Sequence, residues 1–267
     1  MSNFDKTRKY CDCSLSRLSV IENTTQSDFV NFFDTLYLDS TYDKDLLTVS
    51  LAKLIDSLSI ETILDCAAGT GFPSLNLRKL GYNVDCSDND ICMIKMFQQT
   101  AAEIGTSDAI DCLSWADMHN CNKQYDLVMC RGNSLIYDNS WGPHQQAARA
   151  EHILHDLTSM TSRVKTNGCI YIDISNDREL GKSSREINNS DDTYYIHEEV
   201  QLCNNSRHWQ VVYESSAARY VYNRWSSDFS LNDLKISLLD NGFSDIRTIT
   251  IVGERPNLTV LLAKKTG

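Results

Sequence analysis

Between Thr62 and Ile174 the chain alternates short apolar runs with longer stretches of helical spacing. The short runs are Thr62–Cys66, Tyr82–Ser87, Ile110–Leu113, Tyr125–Cys130 and Gly168–Ile174. Each is bounded by polar or turn residues, which predicts strands. Phe72–Leu80, Asp90–Ile104 and Pro143–Val164 carry apolar residues three and four apart and predict helices. Strands alternating with helices predict a mostly parallel sheet covered on both faces. Upstream, residues 27–38 have helical spacing behind a polar cap, and Asp43–Leu58 predicts a second helix. Residues 1–25 are polar and predict a loosely docked arm.

The alternation stops after Ser175. Residues 176–192 are polar and predict a loop, while 193–202, 207–214 and 218–225 are β-rich and predict an antiparallel meander. A helix follows at Ser230–Asp240, stopped by Asn241-Gly242. Ile246–Val252 and Leu258–Ala263 then predict a hairpin at one end of the sheet. The expected organisation is an N-terminal arm and helix at 1–42, a core at 43–175 and 226–267, and an antiparallel lid at 176–225.

Charge narrows the partners. With 25 basic and 36 acidic side chains in 267 residues the net charge is −11. Such a protein gains nothing from counterion release on a phosphate backbone, which disfavours nucleic acid and favours a small neutral or cationic substrate. The sequence shows no membrane-length apolar run and no signal-peptide core at its start, so no membrane partner and a cytoplasmic location are expected. A homo-oligomer is compatible with this composition. Of the 10 cysteines, Cys66, Cys86, Cys112, Cys130 and Cys169 lie in or beside strand-like segments and are expected to be small buried hydrophobes. Cys11 and Cys13 form a C-x-C without a second pair, and His152 and His155, three apart on a helix, could reach a metal but lack a partner motif, so no metal is expected.

The chemistry begins at Asp65-Cys66-Ala67-Ala68-Gly69-Thr70-Gly71, which joins the first predicted strand to a helix. Glycine at 69 and 71 permits positive φ and close approach of a ligand to the backbone. The run departs from G-x-G-x-x-G, which suits a ligand without a pyrophosphate. Asp88, after the second strand, is placed to accept from ribose hydroxyls, with Asp85 and Asp90 as competitors; Asp90 also suits a helix cap. Trp115 is placed to flank an adenine ring, and Asp117 to accept from its amine.

Loop, ribose acid and adenine-side acid in this order resemble the class I S-adenosylmethionine-dependent methyltransferases. That resemblance implies a Rossmann-like, mostly parallel seven-stranded α/β sheet with a reversed final strand and S-adenosylmethionine as cofactor. Arg131-Gly132-Asn133-Ser134, together with Trp115 and the meander, looks more closely like the glycine and sarcosine N-methyltransferases. The resemblance implies that Asn133 and Tyr37 orient the reactants. It implies cofactor contacts from Asp65, Ala67, Gly69 and Gly71 on the first loop, and from Asp88 and Asn89. Further cofactor contacts are implied at Trp115, Asp117 and Met118, at Cys130 and Arg131, and at Lys44 on the methionine carboxylate. Substrate contacts are implied at Tyr37, Asn133, Tyr137, Asp173, Asn176 and Tyr195. The chain departs from the group at Ser175, where a carboxylate-binding arginine is expected; Asp138, Asp173 and Asp177 suit an amine or guanidinium instead. The function expected is N-methylation of a small-molecule amine. Alternatives are a small-molecule O-methyltransferase, a nucleic-acid or protein methyltransferase, and a non-catalytic cofactor-binding module.

Overall fold

The computed structural model describes residues 19–22, 26–138, 149–175, 180–188, 193–203, 206–214 and 218–267. The larger of two sheets is built from β2 (Ile63–Asp65), β3 (Val84–Asp88), β4 (Asp111–Cys112), β5 (Tyr125–Cys130), β6 (Val164–Ser175), β11 (Phe243–Ile249) and β12 (Leu258–Lys265). Their order across the sheet is β11-β12-β6-β5-β2-β3-β4. Only β12 is reversed, pairing antiparallel with both β6 and β11. The expected closing hairpin is present at the sheet's edge. The central strands are buried on both faces, as β5 shows with Leu127, Val128, Met129 and Cys130 all enclosed.

Helices cover this sheet: α3 (Lys44–Ser57), α4 (Ser74–Lys79), α5 (Ile91–Ile104), α6 (Ala150–Thr161) and α7 (Leu231–Asp240). Their starts are capped locally. Asp43 accepts from Leu46 N–H, Asp90 accepts from Cys92 and Met93, and Ser230 with Asp233 closes a capping box. The helix expected from Pro143 is described only as α6, because residues 139–148 lie outside the described set. Val164 opens β6 rather than ending that helix.

The smaller sheet runs β1 (Ser19–Glu22), β10 (Ala218–Ser227), β9 (Ser206–Glu214), β8 (Thr193–Cys203) and β7 (Gly181–Asn188). β7 to β10 are antiparallel neighbours, whereas β1 joins β10 in parallel. Two expectations change here. Part of the arm expected to dock loosely is an edge strand. Part of the expected loop, Gly181–Asn188, is also a strand. Its side chains are largely exposed on both faces, so its sequence carries no apolar alternation; the ladder to β8 is what orders it.

α1 (Gln26–Phe32) continues into a π-helical turn at Phe33–Leu38 and then α2 (Asp39–Thr41). The turn stacks Phe33 on Tyr37 with ring centres 5.3 Å apart. Phe29 and Phe32 pack on Tyr222 of β10, which fastens this helical segment to the smaller sheet. Cys66, Cys86, Cys130 and Cys169 are buried as expected, but Cys112 is exposed, because β4 is a two-residue edge strand. Among the described residues no helix is long and apolar enough to cross a membrane.

Candidate active site

A cavity of about 670 Å³ opens at the carboxyl ends of β2, β3 and β5. The parallel strands all deliver their following loops there, which makes this edge the natural ligand site of an open α/β sheet. The smaller sheet contributes Trp209, the N-terminal helical segment contributes Phe33 and Tyr37, and the β11–β12 connection contributes Arg255.

The loop after β2 is held by its own first residue. Asp65 accepts from Ala67 N–H at 3.2 Å and from the Ser74 hydroxyl at 2.5 Å, and burial raises its pKa. Trp115 Nε1 donates to the Cys66 carbonyl at 2.5 Å, tying the third connection to the first. Gly69 lines the cavity with φ +53°, and a Cβ added there meets nothing within 4 Å. Gly71 has φ +113°, and an added Cβ there meets Leu75 Cδ1 at 2.3 Å. The first glycine thus leaves room for a ligand, and the second lets α4 pack.

Asp88 faces the same cavity from the end of β3. Its Oδ2 accepts from Gly69 N–H at 2.8 Å and its Oδ1 from Asp90 N–H at 2.9 Å. Burial pushes its pKa up to about 6, and the two backbone bonds oppose that shift only in part. Asp85 is turned away, bound to Lys123 and Tyr125.

The loop after β5 is built on buried charge. Arg131 is 6% exposed, ion-paired with Glu254 and 4.0 Å from Asp173. Asp173 accepts from Gly132 N–H at 3.0 Å and Asn133 N–H at 2.5 Å. Burial and the neighbouring Glu254 charge push its pKa up to about 6, against the pull of Arg131 and these two bonds. Asn133 sits at φ 63°, and its Oδ1 accepts from Ser175 N–H at 2.8 Å. Asn133 therefore ties the ends of β5 and β6 together while lining the cavity. The Ser175 hydroxyl accepts from Arg207 of β9 at 2.6 Å, so the smaller sheet brings an arginine to the position where the chain lacks one.

An aromatic wall closes the far side. Trp209 lies edge-on to Tyr37 and Tyr137, with ring centres 5.7 and 6.0 Å away. The Tyr37 hydroxyl donates to Glu198 at 2.8 Å, and Trp209 Nε1 donates to the same carboxylate at 3.2 Å. Arg185 completes the cluster, bonding Glu198 at 2.5 Å and lying over the Tyr37 ring. Tyr37 thus lines the cavity with its ring stacked on Phe33 and under Arg185, and gives its hydroxyl to the smaller sheet; burial raises its pKa.

Of the residues singled out from the sequence, the cavity gathers Tyr37, Asp65, Ala67, Gly69, Asp88, Asn89, Trp115, Arg131, Asn133 and Tyr137. Others lie elsewhere. Lys44 pairs with Asp39 at 2.5 Å over the Phe72 ring. Asp117 is exposed and accepts from Ser114, while Met118 and Cys130 are core side chains. Asp173 is fully buried behind the loop it anchors, Gly71 serves packing, and Tyr195 is 38% exposed on the smaller sheet. Asn176 and Asp177 lie outside the described residues. Trp209, Glu198, Glu254 and Arg255 carried no local sequence signal, because each reaches the site through pairing between distant segments.

No protein-family model and no curated protein sequence matches the chain. Solved structures do. A S-adenosylmethionine-dependent methyltransferase from Clostridium acetobutylicum aligns with TM-score 0.69 at 16% identity, over 90% of this chain and 98% of that one. A sugar N-methyltransferase from Streptoalloteichus aligns with TM-score 0.68 at 14% identity, over 91% and 94%. DesVI from Streptomyces venezuelae aligns with TM-score 0.73 at 12% identity, over 90% and 99%. At these identities the likeness is one of fold, and it spans nearly the whole of each partner. The chain therefore has the fold of the S-adenosylmethionine-dependent methyltransferases.

Proposed function

We propose that the protein transfers the methyl group of S-adenosylmethionine to a nitrogen of a small-molecule amine. The observation that carries this reading is the continuity of one cavity. It runs from the Gly69 cradle and the Asp88 carboxylate to the wall of Phe33, Tyr37, Tyr137 and Trp209. Its volume lies within the roughly 300–1,000 Å³ of small-molecule sites.

The residues present fit the cofactor. Asp88 is an acceptor for paired ribose hydroxyls, held in place by two backbone N–H groups. Ile91, Leu113 and Trp115 supply apolar surface for an adenine. Gly69 leaves the backbone open to close approach. When bound, S-adenosylmethionine supplies a methyl group already activated by its sulfonium.

What remains for the protein is to hold the acceptor in line and keep water out. Trp209 and the Tyr37–Glu198 bond draw the smaller sheet and the N-terminal segment together over the site. The aromatic wall gives the acceptor apolar surroundings, and the Asp138 carboxylate lies in the same lining. That carboxylate attracts an ammonium and can take its proton, leaving the neutral nitrogen lone pair that methyl transfer needs; a hydroxyl carries no charge for it to attract, which favours nitrogen over oxygen as acceptor.

The test is isothermal titration with S-adenosylhomocysteine, followed by transfer of labelled methyl groups across amino sugars, amino acids, guanidines and matched alcohols. The fold shared with a sugar N-methyltransferase puts amino sugars early in that panel. No binding of S-adenosylhomocysteine sinks the reading; label mainly on hydroxyls replaces the N-methyl assignment with O-methylation.

A further inference from the structure

Arg185, Glu198 and Trp209 stand on the same face of the smaller sheet. Ser183 pairs with Glu198 and Val200 with Trp209, so each of the three lies diagonal to the next across β7, β8 and β9. That face is apolar around them, with Ile196, Val200 and Val211 all buried. The Glu198 side chain is 13% exposed, and a carboxylate in such a row is costly unless it is bonded. An apolar side chain there would serve packing at least as well. Packing alone therefore gives no reason for a carboxylate at this position.

The bonds made by Glu198 supply one. Its Oε1 accepts from the Tyr37 hydroxyl at 2.8 Å and from Trp209 Nε1 at 3.2 Å, while its Oε2 accepts from Arg185 at 2.5 Å. Arg185 also donates to the Ser40 and Thr41 hydroxyls at 3.0 and 3.1 Å, just beyond the turn that carries Phe33 and Tyr37. Neither Glu198 nor Arg185 is among the described residues that line the cavity, but Tyr37 and Trp209 both are. The cofactor half of the cavity is held by other bonds, between core loops: Gly69 to Asp88 and Trp115 to Cys66.

We propose that Glu198 is a positioning residue for the acceptor. Its Oε1 fixes Tyr37 against Trp209, and so sets the wall on which the acceptor nitrogen is aligned with the methyl group. Arg185 holds the second oxygen, which keeps the first turned to the two aromatic donors. The inference rests on the methyltransferase reading, and it adds that alignment of the acceptor is separable from binding of the cofactor.

The test compares wild type, Glu198→Gln and Glu198→Leu. The glutamine keeps a carbonyl acceptor for both aromatic donors; the leucine suits the apolar row and removes it. Three quantities are read: affinity for S-adenosylhomocysteine, the Trp209 part of the near-ultraviolet circular dichroism, and kcat/KM for labelled methyl transfer. The Trp209 part is the difference from Trp209→Phe made in the same background, without ligand. Transfer is measured to the panel amine that takes most label. Both variants should bind S-adenosylhomocysteine within about threefold of wild type, which also shows that they are folded. Glu198→Leu should lose the Trp209 signal, and its kcat/KM for the amine should fall roughly ten- to hundredfold, as expected for a misplaced acceptor. Glu198→Gln should keep the signal and transfer within about fivefold of wild type. A Trp209 signal or kcat/KM in Glu198→Leu equal to wild type overturns the proposal. So does a loss of S-adenosylhomocysteine affinity that parallels the loss of transfer, or a Glu198→Gln variant as impaired as Glu198→Leu. Failure of wild type to bind S-adenosylhomocysteine is a separate result that removes the underlying reading, while the ligand-free spectra still report whether Glu198 fixes the wall.

Discussion

The two glycines of the first loop do different work, and alanine at each position separates them. At Gly71, φ is +113°, outside the left-handed region open to L residues, and the new Cβ would lie 2.3 and 2.8 Å from Leu75 and 3.2 Å from the buried Phe97 ring. Backbone strain of this kind costs about 1–3 kcal/mol and overpacking about the same again. Gly71→Ala should therefore lose about 2–6 kcal/mol, lowering Tm by roughly 5–15 °C in a chain of this size. At Gly69, φ is +53° and the Cβ meets no protein atom. Left-handed alanine costs about 1–2 kcal/mol, so Gly69→Ala should fold with a small loss of stability. Gly69 lines the cavity, so if the added methyl enters it, S-adenosylhomocysteine should bind at least tenfold more weakly. Urea denaturation of both variants, with titration calorimetry on the folded fraction, reads the two effects separately. Equal losses of stability, or normal binding by Gly69→Ala, would refute the division of labour.

Asp88 should make cofactor binding depend on pH. Burial raises its pKa to about 6, so the carboxylate proposed to accept ribose hydroxyls should be ionised at pH 8 and protonated at pH 5. Affinity for S-adenosylhomocysteine should be flat above pH 7 and fall by up to about tenfold per unit below pH 6, with Asp88→Asn weak and flat throughout. The free protein responds in the opposite sense: a raised carboxylate pKa contributes stability at low pH that is lost as pH rises through about 6. Chemical denaturation should show a smaller wild-type disadvantage against Asp88→Asn at pH 5 than at pH 8. Arg131→Met strands Glu254 and Asp173 without their cation and should cost about 3–5 kcal/mol. Because burial and Glu254 already push the Asp173 carboxyl up to about 6 and the variant loses the cation that opposes this, the deficit should be larger at pH 8 than at pH 5 in urea melts; a deficit independent of pH would count against this account. Tyr37→Phe removes a hydrogen bond to Glu198 worth about 1.5–3 kcal/mol but keeps the ring. Thermal unfolding should register the loss while S-adenosylhomocysteine affinity stays within about threefold; lost methyl transfer with unchanged stability would place the hydroxyl on the reactants instead.

What the amino-acid sequence determined by itself was local. Apolar spacing marked the core strands and helices, because burial on a sheet or helix face imposes a period that a short window carries. Asp90 and Ser230 announced helix starts, since a cap bonds within its own first turn. Gly69 and Asp88 were legible together because adjacent parallel strands bring successive loop starts side by side. Tertiary structure decided which side chains turn inward and which distant segments meet. Lys44, Asp117 and Met118 lie near the expected positions in sequence, yet an ion pair, a local turn bond and core packing turn them from the cavity. Glu254 and Arg255 become neighbours of Arg131 and Tyr37 only when β12 reverses against β6 and β11 folds back on it. Glu198 and Trp209 reach Tyr37 only because the smaller sheet packs on the N-terminal helical segment. No short window of sequence records those meetings, because their free energy comes from burial and pairing between residues far apart in the chain.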